Sequence, residues 1–185
     1  MFVPYVQYTI VGYHNPIHFW YTTHMTENKK LRIGWFTFSC CEDSTIIFTE
    51  LMNEHWEEWK RVLDVRHARV LQTRNVLDEL DVAFIEGALA TQEHIDKVKE
   101  IRSKSKKVVA IGACAVMGLP SAQRNQFDAK RLEEIQPLLA RFSHLPKVLK
   151  LSDAITVDVA IPGCPMSEKN FMDALAGLLK EFNIV

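Results

Sequence analysis

No apolar stretch in these 185 residues approaches the roughly 18 that a membrane-crossing helix requires, so direct membrane insertion is not expected. Neither sign of charge is in surplus. Lys and Arg total 22 against 23 Asp and Glu, a formal net charge of −1, which gives no compositional case for nucleic acid or an acidic membrane as partner. Cysteine is scarce, with four residues, and no secretory signal is legible, so a secreted disulfide framework is not expected. A reducing compartment, the cytoplasm, is the expected location. No G-x-G-x-x-G run occurs, and no bound dinucleotide is expected. Internal repeats, low-complexity tracts and domain linkers are also missing, which leaves one domain as the reading for this length.

The N-terminus lacks something different. Residues 1 to 26 contain no Asp, Glu, Lys or Arg, yet hold all four tyrosines of the chain. A signal peptide would carry a basic start and an unbroken apolar stretch, whereas Pro4, Asn15, Pro16 and His18 interrupt this one. "MTENKKLRIGW", opening at Met25, reads as an ordinary protein start. The expected division is an atypical extension or misassigned start over 1–24 and a folded domain over 25–185.

From residue 31 onward, short apolar runs alternate with amphipathic stretches. The runs at 31–38, 68–72, 82–87, 107–114 and 155–164 are short and mostly rich in Val, Ile or Phe, the pattern of buried parallel strands. Helical spacing occupies 45–63, 91–104, 128–142 and 167–182, with Thr91 and Ser167 as caps and Pro137 interrupting the third. Phe171, Leu175, Leu178, Leu179 and Phe182 form an inward stripe on the last. Strands alternating with helices imply a doubly wound, flavodoxin-like α/β domain with a parallel sheet of about five strands.

On this reading Cys40 and Cys41 follow the first strand, Cys114 ends the fourth and Cys164 ends the fifth. Ligands of open parallel sheets bind outside the carboxyl ends of the strands, and all four thiols fall on that edge. A lone free cysteine is ordinarily a small buried hydrophobe, but four on one rim point to one site. Structural zinc uses Cys pairs two to four residues apart, a spacing not found here. Adjacent residues of an extended segment face opposite sides, so Cys40 and Cys41 are poorly placed to chelate one ion. An iron–sulfur cube is larger and suits thiols arriving from separate loops. Gly112, Ala113 and Gly163 leave room for it, and Pro162 and Pro165 stiffen the last loop. Ser39, Ser44 and Thr45 also admit a phosphate-cradling, flavin-carrier reading, although "SCCEDST" has no glycine and carries two acids. A zinc-stabilised interaction module is a further alternative.

The segments "RIGWFTFSCCEDS", "VAFIEGAL", "VVAIGACAVMGLPSAQRN" and "VAIPGCPMSEKNFMDAL" resemble the small subunit of nickel–iron hydrogenases, in the superfamily that includes the 20 kDa subunit of complex I. The likeness runs from about Leu31 to Leu179 and looks strongest toward cytosolic hydrogenases linked to a nicotinamide-reducing module. The resemblance implies a flavodoxin-like domain holding one 4Fe–4S cluster through Cys40, Cys41, Cys114 and Cys164. It implies a nickel–iron large subunit as partner, and iron–sulfur or flavin diaphorase-type subunits as further partners. The chain alone is then not catalytic. One departure stands out: hydrogenase small subunits present C-x-x-C in the first loop, whereas this sequence reads Cys40-Cys41-Glu42-Asp43-Ser44. Cys41 and Ser44 fall where the two family cysteines would be, so the Ser44 hydroxyl is an alternative fourth ligand. The tandem pair is instead the pattern of the complex I subunit, which keeps a complex I-like or energy-converting oxidoreductase as an alternative.

Glu86, in the family's Glu-Gly pattern, is a candidate for a role beside the cluster or on a proton path. Glu42 and Asp43 read as solvated or helix-start residues, Trp56 and Trp59 as packing or subunit-contact residues, and His67 and His144 as structural or surface residues. Arg124 is a candidate contact to a partner subunit.

Overall fold

The computed structural model describes residues 29–185. The proposed division at residue 24 lies outside that range. Five parallel strands form the central sheet: β1 (Leu31–Thr37), β2 (Leu63–Ala68), β3 (Leu80–Glu86), β5 (Ser105–Ile111) and β7 (Val159–Ile161), in the order β2-β1-β3-β5-β7. This is the doubly wound, flavodoxin-like arrangement expected from the sequence, with its change of direction between β1 and β3. The helices are α1 (Asp43–Glu54), α2 (Trp56–Val62), α3 (Gln92–Ser103), α4 (Gly112–Met117), α5 (Ala129–Arg141) and α6 (Glu168–Glu181). Among the described residues, no helix is long and apolar enough to cross a membrane.

Several boundaries differ from the sequence reading, each for a local reason. The second strand is Leu63–Ala68, not 68–72: its charged and apolar residues mix because it is an edge strand, and residues 69–72 turn away from the sheet. The long helix over 45–63 is two helices separated at His55. The strand expected over 107–114 stops at Ile111, because Gly112 takes a φ of +78° and starts α4. Cys114 is therefore a helical residue rather than the end of a strand. The last strand spans only three residues, Val159–Ile161, and Cys164 lies in the loop beyond it. An unpredicted antiparallel pair, β4 (Leu89–Thr91) with β6 (His144–Leu149), sits beyond the carboxyl end of β3. Pro137 is accommodated within α5, which starts at its Asp128 cap.

Two apolar layers sandwich the sheet. On one face α1, α2 and α6 bury Phe48, Trp59, Phe171, Leu175 and Leu178 against Trp35, Phe84 and Ile111. Trp35 and Phe48 stack with ring centroids 4.2 Å apart, and Phe171 meets Trp35 edge-on at 6.0 Å. On the other face, Val98 and Ile101 of α3 cover Ala83, Ile85, Val108 and Ala110. Ser167 caps α6 by accepting from Asn170 N, and Thr91 caps α3 by accepting from His94 N.

The amino-terminal edge of the sheet is closed by one carboxylate. Asp81 on β3 accepts from Arg32 N at 3.0 Å, from the Arg32 guanidinium twice at 3.2 Å, and from Lys106 Nζ at 2.7 Å, so it joins β1, β3 and β5. Burial alone raises its carboxyl pKa, but the Arg32 and Lys106 contacts outweigh burial and hold it at about 2. The folded value lies below the unfolded one. Its contribution to stability is therefore complete above the unfolded pKa and is lost as the pH falls toward the folded one.

Two outcomes follow from this packing. Urea midpoints measured from pH 6 downward fall between about pH 4 and pH 2, and Asp81→Asn flattens that limb; an unchanged slope in the variant removes Asp81 as its source. Phe171→Ala costs about 3–5 kcal/mol in the same assay, whereas exposed Ile46→Ala costs less than about 0.5 kcal/mol.

Candidate functional site

The opposite edge of the sheet is built from loops, and Glu86 at the end of β3 organises them. This carboxylate is almost wholly buried. Its Oε1 accepts from Ser44 N at 3.1 Å, and its Oε2 accepts from Thr45 N at 3.0 Å and from the Thr45 hydroxyl at 2.7 Å. A carboxylate from the central strand thus satisfies the first backbone donors of α1, where negative charge is favoured. Thr45 Oγ1 in turn accepts from Trp35 Nε1 at 2.8 Å, which joins the site to the aromatic core.

Each cysteine reaches this edge from a different element. Cys40 and Cys41 follow β1. Their loop is anchored by Phe38 N on Glu86 O and by a reciprocal pair of hydrogen bonds between Ser39 and Ala88. Cys40 is half-buried and packs with Cys114 and the alanines 88, 90 and 122, whereas Cys41 is exposed. Burial, with the Glu86 carboxylate nearby, pushes the Cys40 thiol up to about 12. Cys114 is buried in α4, and Ser121 Oγ lies 3.2 Å from its sulfur and 2.8 Å from Ser39 O. Cys164 is exposed in the loop after β7.

The loops are locked to one another. Ala113 N donates to Gly163 O at 2.7 Å, and Met166 N donates to Ser44 Oγ at 3.2 Å. A Cβ on Gly112 would stand 3.1 Å from Ser44 Oγ, and one on Gly163 would collide with Pro165 O. Both glycines have positive φ, +78° and +128°, so the two loops approach as closely as backbone allows.

All four cysteines line a single small cavity, together with Asp43, Ser44, Glu86 and both glycines. All four are free thiols. Among the described residues, no three His, Cys, Asp or Glu side chains converge closely enough to hold one metal ion. Ser44, the alternative ligand, is buried and its oxygen already accepts from Met166 N. Glu42 is the left-handed residue (φ 65°) that starts α1, and Asp43 is the first residue of that helix. Trp59 is core, whereas Trp56 is half-exposed at the far edge of the sheet, in a cleft with Lys30, Arg32 and Lys106. His67 stacks on Phe36 at 4.3 Å, and its Nδ1 lies 3.2 Å from Trp35 O.

Sequence reasoning missed Thr45 and Ser121 as parts of this site. Thr45 was weighed only as a phosphate ligand, yet it relays Glu86 to Trp35. Ser121 lies in the quoted run "GACAVMGLPSAQRN", seven residues beyond Cys114, and α4 with its following turn folds it back over the sulfur. The turn residues Gly118 and Pro120 after α4 were the available signal that the chain reverses there.

Residues 40–178 match the family described as NADH ubiquinone oxidoreductase, 20 Kd subunit. The chain is 36% identical over 170 residues to the coenzyme F420 hydrogenase subunit gamma of Methanosarcina barkeri, covering 84% of this chain and 57% of that protein. It is 22% identical over 154 residues to the NAD-reducing hydrogenase HoxS subunit delta of Cupriavidus necator, covering 74% and 72%. The fold superposes on a chain of a crystal structure of NAD+-reducing [NiFe]-hydrogenase in the H2-reduced state with a TM-score of 0.67. That match has 27% identity and covers 83% of this chain and 93% of the other. The chain spans 57% and 56% of the length of two of the archaeal relatives it matches, and less than half the length of others. The match begins at Cys40 and takes in all four cysteines, as the resemblance read from "GACA" and "PGCP" implied: the chain belongs to the NADH ubiquinone oxidoreductase 20 Kd subunit family.

Proposed function

We propose that this chain is the electron-transfer small subunit of a cytoplasmic nickel–iron-hydrogenase-like complex, with one 4Fe–4S cluster held by Cys40, Cys41, Cys114 and Cys164. The observation that carries the reading is the convergence of four free thiols, from two loops and the helix α4, on one cavity at the carboxyl edge of the sheet. The donor set fits. Four thiolates are the usual ligands of such a cluster, and thiols spread around a cavity suit a polynuclear group better than a single ion. The glycines at 112 and 163 keep backbone rather than side chain against the cavity.

When bound, a 4Fe–4S cluster takes up and releases one electron at a potential set by charge, burial and hydrogen bonds to its sulfurs. This chain's residues supply those controls. Ser121 sets its hydroxyl 3.2 Å from Cys114 Sγ, with Ser39 O competing for its one hydrogen at 2.8 Å. Cys40 and Cys114 lie among alanines that keep water from one side of the cavity, while Cys41 and Cys164 remain open on the other. Glu86 contributes a buried negative charge and fixes the start of α1 relative to the Cys40–Cys41 loop. The open side is where a large subunit carrying the nickel–iron centre would meet the chain, with diaphorase-type subunits as onward acceptors.

The first test is anaerobic purification followed by iron, sulfide and nickel analysis, with EPR of the reduced sample. About four irons and four sulfides per chain are expected. Zinc or flavin in place of iron overturns the proposal.

Single substitutions then assign the ligands. Cys40→Ala, Cys41→Ala, Cys114→Ala and Cys164→Ala each lose most of the iron, and Ser44→Ala retains it. The converse result for Cys40 and Ser44 gives the fourth position to the hydroxyl. Glu86→Gln removes a negative charge beside the site and raises the midpoint potential in a redox titration followed by EPR; an unchanged potential confines Glu86 to positioning α1.

A further inference from the structure

The segment from Arg124 to Lys150 differs from the rest of the molecule in three ways. It carries six Lys and Arg against three carboxylates in a chain of net charge −1. Among the described residues, none of these nine charged side chains pairs with an opposite charge, although ion pairs occur elsewhere. It also contains α5, which buries none of its residues despite a marked segregation of apolar from polar positions.

Leu138 and Phe142, one helical turn apart, are 55% and 60% exposed. The Phe142 ring meets His144 at 6.4 Å, and His144 Nδ1 lies 3.4 Å from Arg124 Nη1. These four side chains therefore form one continuous surface. Arg124 is its most telling member. Nη2 donates to Leu145 O at 2.9 Å, but among the described residues Nε is buried with no acceptor, and desolvation lowers the guanidinium pKa. A buried charged donor left unpaired is costly, and native proteins rarely leave one so. Arg beside an exposed aromatic side chain is the composition of an interface centre rather than of free surface.

We infer that Leu138, Phe142, His144 and Arg124 form a docking surface for an acidic partner subunit, which seats Leu138 and Phe142 in an apolar recess and brings a carboxylate to Arg124. The inference rests on the reading of this chain as one subunit of a larger complex. It adds a surface whose four residues do not line the cysteine cavity, and a stated partner chemistry. The excess of unpaired cations selects an acidic occupant over a second copy of this chain, which would bring like charge against like.

The test compares the intact complex, purified through a tag on this chain, with the isolated full-length chain by hydrogen exchange. Amides of α5 and β6 exchange at least tenfold more slowly in the complex. Phe142→Asp, at an exposed position, weakens retention of the partner at least tenfold, with an unchanged unfolding midpoint of the isolated chain. Arg124→Gln reduces the salt dependence of dissociation, and Val70→Asp, at another exposed apolar position, leaves retention unchanged. Equal exchange rates in both states, or partner retention within twofold in Phe142→Asp, overturn the inference. So does a dimer of the isolated chain that Phe142→Asp splits, because the surface then belongs to a second copy. Iron content measured on the same samples separates the two readings: a complex with about four irons per chain and an unprotected α5 removes only this inference. A complex without iron removes only the proposed function.

Discussion

The buried carboxylate of Glu86 is the interaction on which the arrangement of the site depends. It is the terminal residue of the central strand, and it is spent on the start of α1, through Ser44 N, Thr45 N and the Thr45 hydroxyl. That fixes where the Cys40–Cys41 loop can run, since the loop spans only the gap between β1 and α1. The same serine accepts from Met166 N, so the Cys164 loop takes its register from the segment that Glu86 holds. Cys114 joins through Ala113 N on Gly163 O. Three loops far apart in sequence are thereby referred to one carboxylate. Isolated charge is expensive to bury, and this one is tolerated because three donors meet it at a helix N-terminus.

The two edges of the sheet divide the work of the molecule. At the amino-terminal edge Asp81 ties three strands together with Arg32 and Lys106, an arrangement that contributes to stability and leaves nothing reactive. At the carboxyl edge the strands give way to loops whose backbone and thiols face a cavity. The aromatic layer beneath, from Trp35 to Phe171, connects the two, because Trp35 packs in the core and also donates to Thr45.

The parallel sheet of about five strands was legible because apolar strands and amphipathic helices alternate along most of the chain, and the shared edge of the cysteines followed from that alternation. What escaped was set by contacts that a single sequence does not display. The edge strand Leu63–Ala68 reads poorly because Asp64, Arg66 and His67 share it with apolar residues. Strand β4, three residues long and paired with a partner more than fifty positions away, has no periodicity to detect. The end of β5 was overrun because "KVVAIGAC" is continuously small or apolar, and only the positive φ of Gly112 stops it. The role of Glu86 was visible as a Glu-Gly pair but not as a helix cap. Its partners lie more than forty residues earlier.

The tandem cysteines look unfavourable when judged as a chelate for one ion, because neighbouring residues face apart. The structure turns that separation to use. Cys40 is drawn inward, against Cys114 and the alanines beside it, while Cys41 stays at the open side with Cys164. The left-handed turn at Glu42 then starts α1 at once, so the loop has no slack with which to bring both sulfurs to one point. On the proposal of a cluster held by the four thiols, a pair held apart suits two of its corners, with Cys114 of α4 and Cys164 of the last loop at the others. A polynuclear group can use that separation, whereas a single ion cannot.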